Sequence, residues 1–235
     1  MSRDRARTAS SERSRSSGSD RAPKPERSKT GRSRAEEKSR TRRALLDGAL
    51  DLLETRSIDN LGIREVTRAA GVAPAAFYRH FDRIDDLGLV LVDEAFTTLR
   101  RLIRDTRDEV AGGGDLIERS TAALVAHIKA NPASYRFIAR EQSSSVVAVR
   151  LAIRREIRLF ATELATDLAR LPGIDRWPTR DLVMLADLIV SLMVETARRL
   201  LDALDEGPER VAEVEADAVV RLRYLSVGAA AWRPR

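Results

Sequence analysis

Residues 61–87 constrain the fold of this chain more than any other stretch; they read LGIREVTRAAGVAPAAFYRHFDRIDDL. Two short helical patterns, 63–70 and 74–81, lie on either side of Gly71. Neither is long enough to be stable alone in water, so each must pack on the other and on a longer element. A helix, a tight turn that carries Gly and a second helix together predict a helix-turn-helix, whose second helix lies in the DNA major groove.

Composition narrows the fold class and the possible chemistry. Hydrophobic residues make up 43% of the 235 residues, and Gly and Pro are sparse, which favours helices over strands. The absence of cysteine excludes disulfides, thiolate catalysis and Cys-ligated zinc. The two histidines, His80 and His127, accompany neither a nucleophile elbow nor an acidic cluster with metal spacing. We therefore expect no enzyme, no metal site and no cofactor.

Export and membrane signals are also missing from the sequence. The N-terminal residues contain no apolar core of the kind found in signal peptides. The most apolar stretch, residues 182–194, is interrupted by Asp187 and followed by Glu195, so it is too short and too charged to span a bilayer. The sequence predicts a soluble cytoplasmic protein.

The positive charge is concentrated at the front of the chain. The net charge is +6, and residues 1–43 hold 15 Lys/Arg against 6 Asp/Glu. A positive field beside a groove-reading helix suits attraction to phosphates. Residues 1–33 have almost nothing apolar, which predicts a disordered basic tail. This tail is either a solubilising segment or an arm that lies along DNA.

Helical periodicity over the rest of the chain predicts an all-α protein of about nine helices. Glycine and proline separate them at Gly112-Gly113-Gly114, Asn131-Pro132, Pro172-Gly173 and Gly207-Pro208. The expected helices are 34–56, 63–70, 74–81, 85–110, 115–130, 132–141, 146–171, 178–205 and 209–230. We predict two domains, one over 34–84 that contains the helix-turn-helix and one over 85–235 that contains the remaining helices.

Three motifs in the opening stretch resemble the TetR family of bacterial transcriptional regulators. They are Ala69-Ala70-Gly71-Val72, Phe77-Tyr78-Arg79-His80-Phe81 and Asp85-Asp86-Leu87, at the family's spacing. The resemblance implies three helices for DNA and about six for ligand and dimer. It also implies a homodimeric repressor on a palindromic double-stranded operator. Ala73 and Ile84 depart from the family, which usually has a capping Ser or Thr and a Lys there.

The resemblance and the residue types together predict the DNA contacts. Arg64 and Arg79 are the candidates for base reading, because Arg pairs bidentately with guanine O6 and N7. The resemblance brings Tyr78 and His80 to phosphates; the alternative is that both pack around Phe77 and Phe81. The full predicted set is Arg40, Arg43, Arg64, Thr67, Arg68, Ala75, Ala76, Tyr78, Arg79 and His80. In it the alanines touch thymine methyls, Thr67 and Arg68 reach phosphates, and Arg40 and Arg43 either approach the DNA backbone or belong to a solvated face.

The motif IREVTR at residues 63–68, with Pro74, Phe77 and Arg79, looks like the branch that includes the fatty-acid regulators FabR and DesT. Residues 135–142 are similar to that branch more loosely. The implied effector is a long-chain acyl-CoA, and the implied targets are lipid synthesis or desaturation genes. The apolar helix over 182–194 fits a narrow lipid channel and a solid core equally well. The predicted ligand set is Phe137, Arg140, Arg154, Arg158, Asp187, Ser191 and Glu195. The alternative for Arg154 and Arg158 is a solvated face, and for Asp187, Ser191 and Glu195 it is pairing with basic groups or a place at the dimer rim.

The last helix carries an apolar stripe that we expect to need a partner outside the chain, and a twofold dimer provides one. The stripe consists of Val211, Val214, Ala218, Leu222, Leu225 and Ala229. Two other functions stay open. One is a repressor that responds to another hydrophobic molecule, such as a drug or efflux substrate. The other is a non-specific basic nucleic-acid-binding protein.

Overall fold

The structure is a computed structural model that describes residues 27–110 and 115–233, with side chains over 33–106 and 115–233. Over these ranges the chain forms nine α-helices, one short 3-10 helix at Ile58–Asn60 and no strand, which confirms the predicted all-α class. The helices are α1 Arg27–Leu53, α2 Ile63–Ala69, α3 Pro74–Phe77, α4 Ile84–Val110, α5 Leu116–Ala130, α6 Pro132–Glu141, α7 Val147–Leu168, α8 Thr179–Glu206 and α9 Pro208–Ala231. Residues 1–26 of the predicted tail and the predicted Gly112–Gly114 linker lie outside the described residues.

Two helix boundaries differ from the sequence prediction by four residues or more. The helix α1 begins at Arg27, whereas the basic composition of residues 1–33 predicted a helix start at Ser33 or Arg34. The helix α3 ends at Phe77 because the next amides turn back early: Arg79 N–H donates to Ala76 O and His80 N–H to Phe77 O. No helix in the described part of the chain is long and apolar enough to cross a membrane.

The described residues divide after Lys38 into two units. The second unit contains both the helix-turn-helix and all the helices behind it. One buried cluster joins them, since Leu45 of α1 and Phe77 of α3 pack in the same core as Leu87 and Leu91 of α4. The helices of the helix-turn-helix therefore share their core with α4, the first helix behind them.

The helix-turn-helix depends on two glycines. Gly71, between α2 and α3, has φ of +66°, a conformation that costs glycine little because it has no Cβ. Gly48 lies where α1 passes the end of α2, and a Cβ there would approach the Ala70 backbone nitrogen to 2.8 Å. Glycine at this position thus lets α1 cross α2 at short range.

Behind the helix-turn-helix, α8 packs along α7 and α9. The predicted stripe on α9 was expected to need an outside partner, and this expectation is wrong. Its members Val211, Val214, Ala218 and Leu222 are buried within the chain against α5 and α8. Helical spacing identified the apolar face correctly, but α5 and α8 already cover it.

Candidate DNA-binding surface and effector cavity

The start of α2 is fixed by one glutamate. The Gly62 N–H donates to Glu65 Oε2 at 3.1 Å, and Arg56 donates to Glu65 Oε1 at 2.8 Å. These hydrogen bonds lower the pKa of Glu65 below its usual value, the one from Arg56 having the larger effect. At α3, Ala73 provides no side-chain cap and Pro74 occupies the first turn, as the sequence predicted.

Three arginines of this region lie exposed: Arg64 and Arg68 on α2, and Arg79 after α3. Among the described residues none of the three has a side-chain hydrogen bond or an ion pair. Neighbouring Arg56 and Arg83 instead pair with Glu65 and Asp85. A guanidinium without an acidic partner can bind a phosphate or a base edge without first breaking an ion pair.

Tyr78 and His80 flank the buried aromatic pair of α3. Tyr78 is 60% exposed, and its ring lies edge-on to Phe77 at 5.8 Å between centroids. His80 is half-buried beside Phe81, with 6.4 Å between ring centroids. Tyr78 thus combines packing with exposure, so its ring is fixed while the side chain remains accessible.

Two of the predicted DNA contacts need correction. Thr67 is buried, and its hydroxyl donates to Ile63 O at 3.0 Å and Arg64 O at 3.2 Å, within its own helix. That hydroxyl therefore does not reach toward a phosphate. Ala76 is also buried, because it shares the inward face of α3 with Phe77, whereas Ala75 is exposed.

The basic residues of α1 have mixed surroundings. Arg40 is exposed. Arg43 donates to Asp47 on its own helix and to Glu94 on α4 at 2.9 Å, and the hydrogen bond that it donates to Asp47 is the main cause of its raised pKa. Arg43 would have to leave both carboxylates to hold a phosphate, so in this structure it ties α1 to α4.

A cavity of about 760 Å³ lies among the six helices from α4 to α9. Phe96 of α4 faces Phe160 of α7 with 6.0 Å between ring centroids, and both border the cavity. The polar groups on its wall are few: Ser120, Gln142, Glu195, Arg198 and Ser226, besides the Tyr135 phenol. Arg198 already pairs with Glu195 at 2.8 Å and with Asp202 at 3.2 Å.

Of the seven predicted ligand residues, Glu195 alone borders this cavity. Phe137 is buried in the core shared with α1, and the Arg140 guanidinium binds backbone carbonyls at the end of α1. The other four lie exposed on outer helix faces: Arg154, Arg158, Asp187 and Ser191. Spacing predicts which residues share a helix face, but not which neighbours cover that face, so the predicted set and the cavity wall differ.

Sequence reasoning missed the contribution of α4 and α5 to the cavity, where Leu99 and Ile117 border it. It also missed Tyr135, whose hydroxyl is buried with no hydrogen-bond partner among the described residues. Burial raises the pKa of this phenol, and the half-buried His127 ring lies edge-on to it at 5.7 Å. The one signal for Tyr135 in the sequence was a tyrosine on an otherwise apolar helix face. Such a position stands out, because a buried tyrosine hydroxyl usually has a hydrogen-bond partner.

The chain thus combines a helix-turn-helix that exposes unpaired arginines with a helical bundle that encloses an apolar cavity. The exposed arginines can bind phosphates or base edges, and the cavity can accept an apolar small molecule. Residues 45–89 match the family described as bacterial regulatory proteins, tetR family. The match covers α2, α3 and the adjoining parts of α1 and α4, so the similarity to that family rests on the helix-turn-helix.

Several solved structures have the same fold. A transcriptional regulator from Rhodococcus sp. Rha1 is 18% identical, with a TM-score of 0.61 over 83% of this chain and 99% of the other. The fatty acid degradation regulator FadR from Bacillus halodurans is 16% identical, with a TM-score of 0.60 over 83% and 97%. NalD of Pseudomonas aeruginosa, the secondary repressor of the MexAB-OprM multidrug efflux pump, is 16% identical, with a TM-score of 0.59 over 82% and 97%. At these identities the likeness shows the fold.

Proposed function

We propose that this protein is a dimeric repressor of lipid-metabolism genes whose affinity for a palindromic operator changes when a long-chain acyl-CoA binds in the cavity. The proposal rests on one observation: the cavity among the six helices from α4 to α9 is lined mainly by aliphatic and aromatic side chains. Its size falls within the range of about 300–1,000 Å³ typical of small-molecule sites. Its few polar groups suit a ligand that is apolar over most of its length.

A fatty-acid regulator with the same fold supports the acyl assignment. FadR of Bacillus halodurans is described as a fatty acid degradation regulator. The resemblance of residues 63–68 and 135–142 to the FabR and DesT branch points to the same ligand class. The cavity supports the coenzyme A headgroup less than it supports the acyl chain. Arg198, the one arginine among the described residues of the cavity wall, is already paired with Glu195 and Asp202. Coenzyme A phosphates would have to displace those carboxylates.

We assign DNA recognition to the exposed side of the helix-turn-helix. Arg64 and Arg79 read base edges, whereas Arg68, Tyr78 and His80 hold phosphates. The excess of positive charge in residues 1–43 adds long-range attraction to DNA. This division predicts that the two reading arginines affect specificity more than they affect general affinity.

The proposed dimer uses the outer faces of α8 and α9, where large apolar side chains are exposed. On α8 these are Val183, Met184 and Leu188, and on α9 they are Val220, Tyr224 and Val227. An exposed apolar face of this kind is typical of a protein–protein contact. A twofold dimer would cover it and place two reading helices about 34 Å apart, one turn of DNA. Ligand would then shift the population between two spacings of the heads, through the sensor helices and α4.

Binding-site selection from random duplexes, followed by titration of the selected operator, tests the function. We expect one palindrome to be enriched, and palmitoyl-CoA to change operator affinity by about 5- to 150-fold, the usual range of allosteric coupling. A response to palmitate but not to palmitoyl-CoA would retain the acyl chain and reject the thioester. No response to any chain length would reject the lipid effector, and failure to enrich any sequence would favour the non-specific binder.

A different hydrophobic effector, such as a drug or efflux substrate, is the second candidate. The carboxylate of Glu195 on an otherwise apolar wall favours it, since a cationic amphiphile could replace Arg198 as the partner of that carboxylate. NalD, which represses a multidrug efflux pump, has the same fold. Operator release by rhodamine 6G with no response to acyl compounds would support this candidate over the first.

A further inference from the structure

Helix α6 has two contact surfaces. Its side chains Tyr135, Ile138 and Ala139 border the cavity. The next two residues, Arg140 and Glu141, contact residues 53–58 instead, the connection between α1 and α2. A ten-residue helix thus links the cavity wall directly to the helix-turn-helix.

The guanidinium of Arg140 binds the end of α1. It donates to Leu53 O at 2.6 Å, to Arg56 O at 2.8 Å and to Glu54 O at 2.9 Å. The last carbonyls of a helix have no partner within the helix and carry its negative dipole end, so a cation is favourable there. Arg140 therefore caps α1 from a different part of the chain.

The carboxylate of Glu141 binds the next residues of the same connection. Its Oε1 accepts hydrogen bonds from Ser57 Oγ at 2.9 Å and from the Ile58 N–H at 3.0 Å. The side chain is fully buried, and Oε2 has no hydrogen-bond partner among the described residues. Burying a carboxylate against neutral donors alone is unfavourable, so packing alone does not account for a glutamate here.

Ile58 is the point at which the connection is held most tightly. Its side chain is buried against Gly88 of α4 and Val149 of α7, and a Cβ on Gly88 would overlap Ile58 Cδ1. Four residues farther on, Gly62 is the N-cap of α2. A displacement of α6 would consequently reach α2 through residues 53–58, by a route that does not need α4 to move.

We propose that Arg140 and Glu141 are positioning residues that transmit the filling of the cavity from α6 to the DNA-reading helices. The proposal rests on the proposed function, in which the cavity holds an effector and the helix-turn-helix binds an operator. It assigns the pair to the connection between the two sites, whereas the sequence predicted that Arg140 binds the ligand.

The first test is amide hydrogen exchange on the full chain, which needs neither an effector nor DNA. Arg140→Ala should speed exchange several-fold over residues 57–62, because the end of α1 loses its cap. Arg136→Ala is the matched control: it removes an arginine of the same helix whose partner is Asp205 of α8, at 2.7 Å. The control should leave exchange over residues 57–62 unchanged. Equal exchange in both variants and in the wild type would overturn the proposal.

The second test replaces the unidentified effector with a side chain. Ala139→Phe fills the cavity from α6, so it should change affinity for the selected operator by about 5- to 150-fold. In the Arg140→Ala background the same substitution should have a much smaller effect, whereas in the Arg136→Ala background it should keep its full effect. This non-additivity is the signature of coupled residues. A purely structural role of Arg140 would lower operator affinity without altering the effect of Ala139→Phe.

Glu141→Gln keeps the acceptor Oε1 and should therefore retain the effect of Ala139→Phe, while Glu141→Ala should remove it. Glu141 is buried, so its removal endangers folding. If the Glu141→Ala chain does not fold, the Arg140→Ala variant decides the test, because the Arg140 side chain is exposed. An equal effect of Ala139→Phe in all backgrounds, or none in the wild type, would overturn the proposal. If no operator is selected, the proposed function fails, and the exchange experiment, repeated on Ala139→Phe with and without Arg140→Ala, still decides whether filling the cavity reaches residues 57–62 through Arg140.

Discussion

Arg64 and Arg79 differ from most arginines around them in having no acidic partner among the described residues. Arg56, Arg83 and Arg43 are all bound to carboxylates. An ion-paired arginine must exchange one charged partner for another on DNA, which reduces its net contribution. The unpaired arginines can give most of their interaction energy to the base edge.

Alanine at Arg64 or Arg79 should weaken operator binding by about 1–3 kcal/mol, the discrimination expected of one bidentate contact to guanine. Affinity for a random duplex of equal length should fall much less. Fluorescence anisotropy on both duplexes, at one fixed salt concentration, measures the difference. Arg155→Ala removes an equally exposed arginine from α7 and serves as the control. Equal losses on the two duplexes would assign both arginines to phosphates.

At the residue scale the sequence predicted the exposure of charged residues better than it predicted the direction in which a side chain points. Arg64, Arg68 and Arg79 are exposed as expected. Thr67 was misassigned because a threonine in a helix can donate to a carbonyl three or four residues back, and the sequence does not say whether it does. Ala76 was misassigned because consecutive residues of a helix point about 100° apart, so Ala76 is buried beside Phe77 while Ala75 is exposed.

At the scale of elements, the crossing of α1 over α2 depends on the missing side chain of Gly48. A Cβ there would meet the Ala70 nitrogen at 2.8 Å and Ala69 carbons at 3.1 Å. Most of these atoms belong to the backbone, so they cannot move aside as the end of a flexible side chain would. Both helices would have to separate to accommodate it.

Gly48→Ala should therefore destabilise the protein by about 1–3 kcal/mol, the usual cost of overpacking a core. This outcome is opposite to that expected from helix propensity, by which alanine is better than glycine by about 1 kcal/mol. Urea unfolding followed by circular dichroism measures it. Asp51→Ala, at an exposed position of the same helix, should change stability by no more than about 0.5 kcal/mol. A more stable Gly48→Ala chain would show that the crossing tolerates a methyl group.

Most helix boundaries could be predicted because they depend on local chemistry. Asp115 caps α5 by accepting from the Ile117 and Glu118 amides, as its position before an apolar run indicated. The hydrogen bond from Arg223 of α9 is the main cause of the lowered pKa of this carboxyl, and no pattern within α5 announces it. Contacts between distant segments, such as Arg140 on α1, were likewise beyond the reach of periodicity.

At the scale of the whole molecule, α8 shows why the cavity could not be located from sequence. Its central stretch is apolar almost all round, which predicted burial on several sides. In the structure Ile189 and Met193 border the cavity, Ala186 is buried, and Leu188 is exposed. One apolar helix thus has a side that faces the cavity, a buried side and an exposed side. Only the arrangement of the neighbouring helices determines which residues lie on each side.

The exposed side of α8 leads to a prediction about dimer formation. Leu188 is 51% exposed on the face that we assign to the dimer, and Leu151 of α7 is 52% exposed outside it. The two leucines are matched in type and exposure, so they separate a specific interface from general surface hydrophobicity. A glutamate at Leu188 would bring two like charges close to the twofold axis and leave them without partners in the contact.

Leu188→Glu should consequently be monomeric at micromolar concentration in sedimentation velocity, whereas Leu151→Glu should remain dimeric. Both chains should keep wild-type helicity, because neither leucine belongs to the buried core. The monomer should also bind the palindromic operator at least about 100-fold more weakly, because linking two reading heads raises affinity by roughly that factor or more. A single half-site should bind both variants equally. A dimeric Leu188→Glu chain would place the interface elsewhere, and equal loss in the two variants would point to general surface association.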